Sequence, residues 1–111
     1  MTASKSKLVI GGLFAVMVLG VASTHISFRQ RRLESAFETA NSEGTADELR
    51  ARLGNPWRNG ACGETFGGTV PRGCKREILY ASPLAPAIPE YWAFRYDQDG
   101  KLIDKYRYVS P

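Results

Sequence analysis

Cys62 and Cys74 are the two cysteines of this 111-residue chain, and their type and spacing suit one reaction with each other. They enclose the Gly-rich segment CGETFGGTVPRGC. A structural zinc needs about four Cys or His ligands, and the single histidine, His25, stands in the apolar N-terminal region. A redox-active pair is more usually C-x-x-C at a helix start. A disulfide needs an oxidising compartment. It would close a loop of 13 residues, stabilising the fold by about 3 kcal/mol in the chain-entropy model. The expectation is a structural disulfide.

Other chemistry is poorly supplied. Asp97-Gln98-Asp99-Gly100 suggests a calcium loop, but an EF-hand needs a bidentate Glu at its twelfth position. Counting Asp97 as the first ligand makes the twelfth residue Tyr108; counting it as the third makes it Tyr106. The segment reads instead as a turn, with Gly100 taking positive φ. No G-x-S-x-G, H-E-x-x-H or Gly-rich phosphate loop is present. The 11 carboxylates show no spacing that singles out an acid/base pair. The sequence predicts no enzyme, no cofactor and no metal.

Contact chemistry is better represented. From Tyr91 to Tyr96 the residues alternate, placing Trp92, Phe94 and Tyr96 on one strand face and Tyr91, Ala93 and Arg95 on the other. If the first face is the core, Tyr91, Arg95 and Arg107 project from the other as an exposed surface. Tyr and Arg are frequent binding hot spots, and Trp57 and Phe66 lie in or beside the cysteine loop. These five are the candidate interaction residues. Truncating Tyr91 and Arg95 should then leave folding nearly intact, since surface changes usually stay within about 0.5 kcal/mol.

The elements behind these residues begin with a membrane segment. Leu8 to Thr24 carries no charge, and the run continues weakly to Phe28. About 20 apolar residues suffice to cross a bilayer core as a helix. Lys5 and Lys7 precede the run, and Arg29, Arg31 and Arg32 follow it. A cleaved signal peptide also fits, with Gly20-Val21-Ala22 as small residues before a cut. The direct passage from Ser23 to Phe28 into helix-like sequence favours an anchor. Both flanks are basic, so the positive-inside rule says little. The cysteines instead place the C-terminal domain outside the cytoplasm.

The formal charge of the whole chain is +4. From Leu33 to Pro111, however, 10 basic residues face 11 acidic ones, leaving −1. A near-neutral domain lacks the basic footprint of nucleic-acid binding. Residues 29–111 are long enough for one small domain, and residues 1–28 form the anchor or signal segment.

Leu33, Ala36, Phe37 and Ala40 have helical spacing, predicting a helix from about Gln30 to Asn41. Ser42-Glu43-Gly44 breaks it. Thr45 and Glu48 form a capping-box pattern ahead of Ala46, Leu49 and Leu53, and Gly54 and Pro56 end that second helix. Trp57 to Lys75 reads as loop. Strands are expected at Glu77–Ala81, Tyr91–Tyr96 and Lys101–Val109, separated by a Pro-rich stretch and the Asp97 turn. The predicted fold is α+β: an N-terminal transmembrane or signal helix, then two short helices packed on a three-stranded antiparallel sheet. Leu49 and Leu53 should meet Trp92 and Phe94 in the core.

The segment from Gly44-Thr45 through Leu53-Gly54-Asn55-Pro56 resembles the helix-end motif of the SmpA/OmlA family, the small BamE-like proteins of the bacterial envelope. Tyr91-Trp92-Ala93-Phe94-Arg95-Tyr96-Asp97, followed by Gly100-Lys101-Leu102, resembles the family's strand motif, and the two come in the family's order. The resemblance covers about Leu33 to Tyr108. It implies the family's fold and a non-enzymatic, protein-contacting role. Two departures stand out: the run has no lipidation cysteine, and the Cys62–Cys74 loop is inserted. The expected protein is therefore held at the inner membrane through residues 8–28, single-pass, with its domain in the periplasm beside an envelope protein partner. The alternative is a secreted periplasmic inhibitor or ligand-binding module of similar fold.

Overall fold

A computed structural model describes the backbone of residues 2–85 and 87–110, and side chains from residue 12 onward within them. The side chains of Lys5, Lys7 and residues 8–11 of the apolar run therefore lie outside the described residues. The apolar segment and the predicted helix after it form one element, α1, Thr2–Thr39. Nothing in the sequence breaks the helix at the Phe28–Arg29 boundary. At 1.5 Å per residue it is about 57 Å long, and it accounts for the molecule's 72 × 28 × 19 Å extents. Among the described residues its lower part is exposed, as at Leu13, Phe14, Val16, Met17, Leu19 and Val21. The most apolar window of Gly12–Thr39 has mean hydropathy 1.4 and no buried residue. The helix is thus long and apolar enough to be a membrane span or a signal sequence.

The upper part of α1 is amphipathic, and it buries Leu33 and Ala36. Lys105 ends it by donating from Nζ to the carbonyls of Phe37, Glu38 and Ala40, a cation placed at the negative end of the helix dipole. Helix α2 spans Ala46–Leu53. Thr45 caps it as predicted, its hydroxyl accepting from Glu48 N at 3.2 Å. Gly54 has positive φ, +82°, but its ψ of −162° is extended rather than left-handed helical. Its N–H still closes the helix on Arg50 O at 2.8 Å.

The sheet has four strands, not three: β1 Arg58–Gly60, β2 Arg76–Ala81, β3 Glu90–Tyr96 and β4 Leu102–Val109. They are antiparallel in the order β1-β2-β3-β4. The added strand lies inside the segment read as loop. Arg58-Asn59-Gly60 has no alternation of its own, and its pairing with Leu79, Ile78 and Glu77 makes it a strand. Asp97 closes the β3–β4 turn, its Oδ1 accepting from Asp99 N and Lys101 N, both at 2.9 Å. A register shift at Arg95/Tyr96 sets Asp104 opposite Arg95 and Leu102 opposite Tyr96.

The core lies between the helices and one sheet face. Leu33, Ala36, Leu49 and Leu53 join Ile78, Tyr80, Trp92, Phe94, Tyr96 and Leu102 in one buried cluster. Leu49 and Leu53 are buried in the same cluster as Trp92 and Phe94, as expected. Tyr80 anchors the end of α2, its hydroxyl donating to Gly54 O at 2.9 Å.

Candidate functional site

Alternation puts Glu77, Leu79 and Ala81 of β2, Tyr91, Ala93 and Arg95 of β3, and Asp104, Tyr106 and Tyr108 of β4 on the face away from the helices. That face is not left open to solvent. The disulfide Cys62–Cys74 is formed, with its Cα atoms 6.1 Å apart, and the loop it closes folds back over the sheet. Thr69 O of the loop accepts from Arg95 Nη1 at 2.9 Å. The Phe66 ring stacks on Tyr108 with centroids 3.9 Å apart.

Under the loop lies a polar cluster. Arg95, 4% exposed, donates from Nε to Glu77 Oε1 at 2.7 Å, and Glu77 is 1% exposed. Arg95 Nη1 also reaches Asp104 Oδ2 at 3.3 Å, and its guanidinium lies 4.5 Å from the Tyr106 ring centroid. The Tyr106 hydroxyl donates to Glu77 Oε1 at 3.0 Å. Burial pulls the Arg95 pKa down, but the hydrogen bond and charge of Glu77 outweigh it and leave it above the ordinary value. Burial and the bond to Glu77 push the Tyr106 phenol up to about 12. Such an arrangement fixes a charge rather than offering one. Arg95 is spent on holding the loop to the sheet.

The expectation that Arg95 projects as a free contact residue is therefore corrected, and with it the expectation that its truncation is harmless. The reason is register: Arg95 faces Glu77 directly across β2–β3, and the loop seals the pair from water. Arg107 is also corrected. It pairs with Trp92 and so belongs to the helix-facing side, where β4, at the sheet's edge, leaves it 53% exposed beside Glu90 Oε1 at 2.6 Å.

The other three candidates do come together. Trp57, Phe66 and Tyr91 form one aromatic cluster with Tyr108. Trp57 and Tyr91 centroids are 4.7 Å apart, and Phe66 and Tyr91 centroids 5.2 Å. Trp57 remains 45% exposed, and the Arg58 guanidinium lies over its ring at 4.9 Å. Sequence reasoning missed Tyr108 and Arg58. Tyr108 was findable by pairing the hairpin about its turn; Arg58 carried no signal until β1 was known to be a strand. Among the described residues no group of three or more His, Cys, Asp or Glu is placed to hold a metal ion.

Comparison of the chain with protein-family models, curated proteins and solved structures finds no match.

Proposed function

We propose that this chain is a membrane-anchored protein of the bacterial envelope whose small α+β domain docks a protein partner and catalyses nothing. One observation carries the reading. The disulfide-closed loop and the outer sheet face together build an aromatic cluster, and that cluster leaves Trp57 and Arg58 facing solvent. Trp, Tyr and Arg are enriched among binding hot spots, and Trp brings large contact area at small entropic cost. The long exposed apolar helix supports an anchor in the inner membrane, and the disulfide supports a domain on the oxidising, periplasmic side. Kinship with the SmpA/OmlA family is proposed on the resemblance of the Gly44–Pro56 and Tyr91–Leu102 motifs alone.

Two measurements test this. A reporter active only outside the cytoplasm, fused after Pro111, should be active; activity from a cytoplasmic reporter alone refutes the orientation. Tagged full-length chain should retrieve a stoichiometric partner from detergent-solubilised membranes. The variant Trp57→Ala/Arg58→Ala should keep its near-ultraviolet circular dichroism apart from the Trp57 band and lose that partner. Retention of the partner by the folded variant refutes the surface.

A further inference from the structure

Three of the domain's exposed large apolar side chains, Leu84, Ile88 and Val109, lie together at one end, whereas Val70 and Ile103 lie toward the other. Gln30 Oε1 accepts from Ser82 Oγ at 3.0 Å. Seven residues along the helix, Phe37 meets Phe94, which pairs with Ile78 of β2. Strand β2 therefore runs back along α1 toward the apolar segment, and the Ser82–Pro89 connection that continues it lies on that side of the domain. The start of β3 and the end of β4 lie there too. Leu84, Ile88 and Val109 are 40%, 52% and 57% exposed at this end. The connection is held in shape by Leu84 N on Ser82 Oγ, Ile88 N on Leu84 O, and Ser110 N on Pro89 O.

We infer that this end rests on the bilayer that α1 crosses, with Leu84, Ile88 and Val109 seated in the lipid headgroup layer. The inference rests on the anchor reading above and adds where the domain sits. If the apolar run from Leu8 ends the hydrocarbon core at Phe28, Gln30 stands about 3 Å beyond it, at 1.5 Å per residue. The headgroup layer is about 5–7 Å deep on each side of the core. Ser82, bonded to Gln30, is thus already inside that layer. A connection leading from it toward the membrane has to lie among headgroups. The charge pattern agrees: Arg29, Arg31 and Arg32 follow the apolar run directly on α1, and basic side chains favour the phosphate level of a bilayer. The helix continues unbroken into the domain, without a flexible linker that would let the domain lift away.

Full-length Trp57→Phe and full-length Trp57→Phe/Ile88→Trp, reconstituted in phosphatidylcholine vesicles, test this. Trp92 is 1% exposed and serves as the constant background. The fluorescence gained through Ile88→Trp should be quenched at least twofold more by phosphatidylcholine brominated high on the acyl chain than by unmodified lipid. Aqueous iodide should barely reach it. Free quenching by iodide with no response to brominated lipid, in chain that floats with the vesicles, overturns the lipid contact alone and leaves the loop open to a protein. Chain that does not float with vesicles overturns the anchor reading and this inference with it.

Discussion

Replacing Arg95 by alanine should unfold or nearly unfold the domain. The side chain is 4% exposed, pairs with Glu77 at 2.7 Å and holds the stapled loop through Thr69 O. Its removal leaves the Glu77 carboxylate, 1% exposed, with one remaining donor, Tyr106. Breaking a buried ion pair from one side costs about 3–5 kcal/mol. A domain of this size has total stability on the order of 4–12 kcal/mol. A loss of 1 kcal/mol lowers Tm by about 4–8 °C in domains of 60–100 residues, so the expected drop is about 12–40 °C. The assay is thermal melting of full-length protein in detergent, followed by near-ultraviolet circular dichroism, which reports the aromatic cluster without the signal of α1. The double variant Arg95→Ala/Glu77→Ala should recover part of the loss, because the stranded charge is gone. A single variant melting within about 3 °C of wild type would refute the reasoning. Arg95 would then be solvated, as its sequence position suggested.

Mass spectrometry of non-reduced protein should show Cys62 joined to Cys74, and Cys62→Ser/Cys74→Ser should cost up to about 3 kcal/mol in denaturant unfolding. The same variant should release Phe66 from Tyr108, read as loss of aromatic dichroism before global unfolding. Leu53→Ala should cost about 2–5 kcal/mol, since Leu53 is 6% exposed in the core cluster that includes Trp92 and Phe94; an unchanged melting midpoint would place α2 elsewhere. Absorbance titration should find Tyr96 and Tyr106 ionising only near pH 12, both held neutral chiefly by burial. Their folded pKa lies above the unfolded value of about 10. Their stabilising contribution is therefore complete below pH 10 and lost as the pH rises toward 12. Ionisation of all five tyrosines near pH 10 in folded protein would refute that burial.

Much of the fold was legible because it follows local rules. Thr45 and Glu48 announced α2, the Trp92–Phe94–Tyr96 alternation identified the core face, and Asp97 and Gly100 marked the hairpin. What escaped depends on contacts remote in sequence. Strand β1 exists because Leu79 and Ile78 pair with it, and three residues without pattern cannot signal that. The path of the cysteine loop is set by Arg95 and Tyr108, residues 26 and 42 positions beyond Thr69 and Phe66 respectively. Arg95 therefore looked free in a one-strand reading. Placing Glu77 and Arg95 on the same outward face of antiparallel neighbours would have exposed the pair. Trp57, Phe66 and Tyr91 lie outside the core cluster. Their assembly into one cluster needed the loop's return path.

The most direct test of the partner-docking surface is photocrosslinking in intact membranes from a benzophenone side chain at position 57, compared with one at Glu43, an exposed residue in the turn beyond α1. The account predicts one discrete protein adduct from position 57, absent from position 43 and lost when Cys62 and Cys74 are both serine. No protein adduct from position 57, or the same adducts from both positions, would contradict it.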